Sequence, residues 1–235
     1  MKFGVTLGAL NPALHRDVAV LADQLGFESV WMPEHLVFPK DLSGSPHPGE
    51  DSPPVPPTTP VFDVFGWLCW LAGQTERIRL GTHVYLLGLR HPFVAALGLC
   101  KRLWCDPEIE HQGEFFSFDP VIFEPKPVQR PWPTIHAGGE SEAALRRAAT
   151  HCDGWIGLAH TFETARPLIE RLRELREEIE LGHEKFEISL GARVNSRDDV
   201  RRWSELGVDR LMVAPWSRSR EALDGLRRFA EFLDS

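Results

Sequence analysis

The chain has 235 residues, of which 43% are hydrophobic and 26% charged, with a formal net charge of −8. Those proportions are ordinary for a soluble globular protein, and the acidic balance excludes a general nucleic-acid binder, which needs a basic face. No stretch approaches the roughly 18 uninterrupted apolar residues of a membrane-spanning helix.

Apolar runs alternate with amphipathic helices along the whole chain. Lys2–Leu7 predicts a first strand, and the opening MKFGVTLGAL turns polar too soon for an export signal. Asn11 offers an N-cap and Pro12 suits the first helical position. Val18, Leu21, Ala22 and Leu25 then share one face until Gly26 ends the helix. Glu28–Met32 predicts strand two. Leu36 to Val61 follows, with eight prolines from Pro39 to Pro60. That is too long for a connector, and because it leaves the carboxyl end of a strand it predicts a lid.

Asp63–Thr75 predicts a helix and Ile78–Leu87 strand three. After Pro92 a helix runs through Phe93, Val94, Leu97, Leu103 and Trp104, and His111–Phe123 alternates about Asp119-Pro120 as a hairpin does. Thr134–Ala137, Gly154–Leu158, Phe186–Ala192 and Val208–Ala214 predict further strands. Ser141–His151, Thr164–Leu181, Arg197–Leu206 and Arg220–Leu233 predict helices. Within 164–181, Leu168, Leu172, Leu175 and Ile179 form the apolar stripe, and the charges around them read as a solvated face.

Short strands alternating with helices imply a parallel sheet, because each return crossover needs about a dozen residues. Seven strand–helix units without a linker predict one domain, 1–235, slightly short of the roughly 250 residues of an eight-unit barrel. Ligands of such folds sit beyond the carboxyl ends of the strands.

Three places stand there. Glu34-His35 follows strand two, where an imidazole could act as acid or base near neutral pH, or be a plain surface histidine. Gly81-Thr82-His83-Val84 lies in strand three, followed by Arg90-His91-Pro92. A glycine inside a strand marks a bulge or a close approach of backbone to ligand. His136-Ala137-Gly138-Gly139-Glu140-Ser141 joins a strand to a helix whose free N–H groups and positive dipole suit an anion, although Glu140 and Glu142 would oppose one.

Histidines 35, 83, 91, 136 and 160 all fall near the expected upper rim. They form no HxH or ExxH spacing, so no metal site is expected. Cys69, Cys100, Cys105 and Cys152 form no CxxC pair and fit a reducing compartment, the cytoplasm.

Taken together, MKFGVTLG, LADQLGFESVWMPEHLVFP, the proline-rich loop, RIRLGTHVYLLGLRHPFVAA, GEFFSFDPVIFEPKPVQRPWPTIHAGGESEAALRRAATHCDGWIG and GVDRLMVAPW resemble the luciferase-like monooxygenase superfamily. They are most similar to its branch of oxidoreductases dependent on the deazaflavin coenzyme F420. The resemblance implies a TIM-type α/β barrel with a flavin or deazaflavin at its carboxyl face. It places His35, with Glu34, beside the reacting ring. It places His83 and Val84 in the bulge behind that ring, where relatives often have a strained cis peptide. Gly138, Gly139 and Ser141 then hold the cofactor phosphate, and Thr82 and Arg90 are nearby candidates.

One departure is large. Leu99 runs almost directly into Cys100-Lys101-Arg102-Leu103-Trp104, which resembles the tail of a later helix, so one βα unit, the fourth, is expected to be absent. The expected fold is an incomplete barrel of about seven parallel strands with a small hairpin insertion.

The resemblance implies hydride transfer between F420 and a small organic substrate. A monooxygenase using FMN and oxygen stands beside it, as does a truncated relative that binds a (deaza)flavin without turnover. Relatives often dimerise, and an uncovered sheet edge would favour a homodimer.

Overall fold

Residues 1–35, 60–85, 97–113, 117–182 and 184–233 are described in the structure, a computed structural model. The expected lid, apart from Pro60 and Val61, lies outside them, as do Arg90, His91 and the start of the helix after Pro92. In chain order the described strands are β1 Lys2–Thr6, β2 Ser29–Pro33, β3 Arg79–His83, β4 Ile109–Gln112, β5 Ser117–Val121, β6 His136–Gly138, β7 Gly154–Ala159, β8 Glu187–Gly191 and β9 Arg210–Val213. The α-helices are α1 His15–Leu25, α2 Val64–Ala72, α3 Leu97–Cys105, α4 Glu142–His151, α5 Phe162–Glu178, α6 Arg197–Glu205 and α7 Ala222–Phe229.

The chain divides into two compact units, Met1–Val84 with His136–Ser235, and Tyr85–Ile135. The first holds a seven-stranded sheet in the order β3-β2-β1-β9-β8-β7-β6, every pair parallel. This is the expected incomplete barrel. Its curl brings the two edges towards each other: the Trp31 indole of β2 stacks on the His136 imidazole of β6, with centroids 6.4 Å apart.

Side chains alternate across the sheet. The outer face carries Phe3, Val5, Val30, Ile188, Leu190, Leu211 and Val213, all buried. Phe3 meets Phe229 of α7 edge-on, with ring centroids 5.3 Å apart. The inner face is polar where barrels usually stack branched apolar residues. Paired positions Gly4, Ser29, Trp31 and Gly81 adjoin there. Trp31 fills the lumen and donates through Nε1 to Ser29 Oγ at 2.7 Å. A Cβ on Gly4 would come within 2.6 Å of the indole, and one on Gly81 within 2.8 Å.

Below Trp31, Arg210 is 2% exposed. Its guanidinium donates to both Glu28 carboxylate oxygens at 2.8 and 3.0 Å, to Ser189 Oγ at 2.9 Å and to Glu187 at 3.3 Å. Glu187 also accepts from Lys2 at 2.9 Å. A buried charge is tolerable only when paired in this way. Hydrogen bonding from His136, with Lys2 and Arg210, holds the Glu187 carboxyl well below its ordinary range against the opposing effect of burial. For Glu28, burial pushes upward, but Arg210 and Ser29 outweigh it and the net direction is down.

Local signals explain most element ends. Gly26 adopts φ +87° as the left-handed cap of α1. Asp63 caps α2 by accepting from the Gly66 N–H at 2.8 Å. Helix α5 starts at Phe162, two residues before the expected Thr164, because Thr161 and Thr164 form a reciprocal capping box. Not all of its charged residues are solvated. Arg176 is buried and donates to the carbonyls of Ala149, Leu181 and Glu184 at 3.1, 2.7 and 3.2 Å, closing two helix ends. Asp23 ties α1 to the approach of β3 by accepting from the N–H groups of Glu76, Arg77 and Ile78 at 2.7, 3.3 and 3.1 Å.

In the second unit, β4 and β5 form the expected antiparallel hairpin, with a register shift between Ile109 and His111. Lys126 Nζ closes the end of α3 by donating to the carbonyls of Leu103 and Asp106 at 3.0 and 2.6 Å. Among the described residues no helix is long and apolar enough to cross a membrane.

Candidate active site

Three strand ends carry the residues singled out in the sequence. Pro33, the last residue of β2, pairs in register with His83, the last of β3. Glu34 and His35 therefore leave the sheet at the same end as Val84. Glu34 is 3% exposed and His35 is exposed, so a buried carboxylate precedes an accessible imidazole. Thr82 pairs with Met32 and alternates with Gly81 and His83, so it stands on the helix-facing side of the sheet.

Val84 has φ +66°. A β-branched residue in the left-handed region is strained, and such strain persists only where the surroundings impose it. The cis peptide bonds of the described residues both precede prolines, Pro125 and Pro131. The strain anticipated at His83-Val84 thus takes the form of a left-handed φ. What holds Val84 is visible across the gap in the sheet: a Cβ on Gly138, at the end of β6, would lie 3.1 Å from Val84 Cγ2.

Gly138 is thus small because Val84 covers it. Gly139 has φ +102°, and a Cβ there would come within 2.9 Å of the Ala144 side chain. The Trp155 indole of β7 donates to the Gly139 carbonyl at 2.8 Å. Ser141 is the N-cap of α4; its Oγ accepts from the Ala144 N–H at 3.3 Å, and its own proton can still be donated to a ligand. The first-turn N–H groups of α4 open beside it.

The two acids expected to oppose an anion are each drawn to a base. Glu142 is held by Arg171 at 2.8 and 3.0 Å and by Arg146 at 3.2 Å, and these guanidinium groups keep its carboxyl below the usual range. Glu140 Oε1 lies 3.1 Å from His160 Nε2. The helix N-terminus is therefore not blocked by negative charge, and the donor set fits a phosphate.

Not every histidine belongs to the rim. His136 opens β6, and its Nε2 lies 3.4 Å from Glu187 inside the lumen, away from the strand ends where the spacing had suggested it. Among the described residues no group of three or more histidine, cysteine, aspartate or glutamate side chains could hold a metal ion.

A family model described as luciferase-like monooxygenase matches residues 1–98 and 96–231. The chain belongs to the luciferase-like monooxygenase family. The two matched stretches meet beside Leu97–Lys101, where the sequence suggests a missing βα unit. An uncharacterized protein of Mycobacterium tuberculosis strain H37Rv is 24% identical over 268 residues, covering 94% of each chain. That alignment is longer than the 235 residues available here, so the relative carries positions that this luciferase-like chain lacks. An FMNH2-dependent dimethylsulfone monooxygenase of Pseudomonas putida is 31% identical over 81 residues, 34% of this chain and 22% of its own.

Among solved structures, an F420-dependent secondary alcohol dehydrogenase in complex with an F420-acetone adduct is similar with a TM-score of 0.73. It is 13% identical and covers 99% of this chain and 98% of that one. The likeness shows the shared barrel fold of the luciferase-like proteins.

Trp31 and the Glu140–His160 pair were not legible as site residues. A tryptophan in register with Gly81 of β3, with Gly4 of β1 one pair away on the same face, was the available signal for the first. No local pattern joins Glu140 to His160, which meet only because β6 and β7 are neighbours.

Proposed function

We propose that this protein is an oxidoreductase that uses F420, passing a hydride between the deazaflavin and a small organic substrate. The observation that carries the reading is the meeting of Val84 with Gly138, which joins the strained end of β3 to the glycine turn at the N-terminus of α4. Strand ends that carry Glu34-His35, His83-Val84 and Gly138–Ser141 therefore share one end of the sheet. The match to the luciferase-like family, with relatives named for F420 and for FMNH2, supports a cofactor of this class.

In this reading the cofactor supplies the hydride chemistry. The chain's own residues bind, orient and move a proton. Gly138 and Gly139 let the backbone approach the phosphate, and the Ser141 hydroxyl and first-turn N–H groups of α4 donate to it. His83 and Val84 back the ring. His35 orients the substrate and exchanges a proton with it, a role suited to an imidazole near neutral pH. Four cysteines outside any disulfide fit a reducing compartment such as the cytoplasm.

The test is turnover. Purified protein with F420 and a panel of small alcohols should bleach the cofactor absorbance; loss of reduced FMN in oxygen with product formation would instead support the monooxygenase reading. A second reading, a (deaza)flavin-binding protein without turnover, is favoured by the seven-stranded sheet and by the division of the family match into two stretches that overlap at 96–98. Saturable binding with no turnover on either panel would favour it.

A further inference from the structure

Glu140 belongs to the glycine turn itself, between Gly139 and the capping Ser141. A carboxylate at that place is a ligand for the helix start. The free N–H groups and the positive end of the dipole of α4 attract it as they attract a phosphate. In the structure it is turned away, its Oε1 lying 3.1 Å from Nε2 of His160.

That imidazole is firmly placed. Its side chain is 2% exposed, and its backbone N–H donates to the Gly191 carbonyl at 2.9 Å. Nδ1 lies 3.2 Å from Thr164 Oγ1, which already accepts from the Thr161 N–H at 3.0 Å. If the Thr164 hydroxyl donates to Nδ1, the neutral ring carries its proton on Nε2. If the hydroxyl instead donates to the Thr161 carbonyl, 3.2 Å away, Nδ1 must be the donor. The contact of Nε2 with Glu140 Oε1 is close by distance, 3.1 Å, without the alignment of a hydrogen bond. Trp155, whose ring lies 6.0 Å from the imidazole, donates to the Gly139 carbonyl, so both halves of the turn are held from the β7 side.

We propose that His160 is a positioning residue for the anion site: it latches the Glu140 carboxylate off the N-terminus of α4 and keeps that terminus open for the cofactor phosphate. The inference rests on the function proposed above. Glu142 needs no such latch, because Arg171 and Arg146 hold it from the outer surface. Without the imidazole, Glu140 would be free to occupy the helix start and repel the ligand.

The test is a fluorescence titration of F420 and of FMN into the wild type, His160→Phe, Glu140→Gln and the double variant. His160→Phe keeps a ring in the space and removes its donors; a thermal melt confirms folding, and His160→Ala replaces it should it not fold. Binding by the single histidine variant is expected to weaken about five- to tenfold, the scale of one misplaced charge at a helix terminus. Glu140→Gln is expected to bind at least as tightly as the wild type, and the double variant to recover wild-type affinity.

Unchanged affinity in His160→Phe would overturn the latch and leave the proposed function standing. So would a loss that Glu140→Gln fails to repair, since that loss would come from packing. Failure of the wild type to bind either cofactor would overturn the proposed function, and the latch with it.

Discussion

The Trp31 indole stacks on the His136 imidazole with centroids 6.4 Å apart, although β2 and β6 are separated by four other strands in the sheet. The sheet must therefore curl until its edges face each other, and Trp31 is the body around which it curls. A side chain at Gly81 would come within 2.8 Å of that indole. Gly81→Ala is expected to destabilise the fold by about 1–3 kcal/mol, the usual cost of overpacking a filled interior. The denaturant midpoint reads it. A second substitution, Trp31→Leu, should recover part of the loss.

Arg210 carries the lower lumen. Removing it leaves the buried Glu187 and the half-buried Glu28 without their common partner. Arg210→Met is expected to cost about 3–5 kcal/mol, the range for breaking one side of a buried ion pair. Chemical denaturation measures it, and an effect below the level of an exposed pair would contradict the network.

The same carboxylates set the acid limit of the fold. Glu187, Glu28 and Asp23 all have folded-state pKa values below their ordinary ones: for Glu187 chiefly because of hydrogen bonding from His136, and for the other two because Arg210 or three backbone N–H groups outweigh burial. A depressed carboxyl pKa stabilises the folded state fully above the unfolded value, about 4, and that contribution is lost as pH falls below it. The melting temperature should hold from pH 7 to about pH 5 and fall steeply towards pH 3. Asp23→Asn should flatten part of that fall.

His35 is exposed at the end of β2 and makes no part of the core. His35→Ala should lower turnover by about 100-fold or more, the scale of a lost proton-transfer group, while cofactor affinity and melting temperature change little. Wild-type turnover in the variant would remove His35 from the proposed catalytic role.

Much of the architecture could be read from local pattern. The apolar alternation, the Gly26 cap and the Ser141 N-cap depend on neighbours in sequence, and the structure places them where they were expected; the hairpin also forms, but Asp119-Pro120 lies within β5 and the turn falls between Gln112 and Ser117. The glycine turn was legible for the same reason. What escaped depends on contacts between distant strands. Period counting cannot pair residue 31 with 136 or 140 with 160, nor show that Arg176 turns inward to close two helix ends. His136 was assigned to the rim by its nearness to the turn, whereas the start of β6 puts it in the lumen. Strand three ends at His83 rather than Leu87 because Val84 leaves the β region at φ +66° to reach Gly138.

The most direct measurement is a titration of the purified, folded protein with F420 and FMN in parallel, read by fluorescence. Saturable binding of F420, tighter than that of FMN and abolished when Gly139→Val fills the turn, is the expected result. Absence of saturable binding for both, in protein that melts cooperatively, would contradict the claim that the rim from Val84 to Ser141 is a cofactor site.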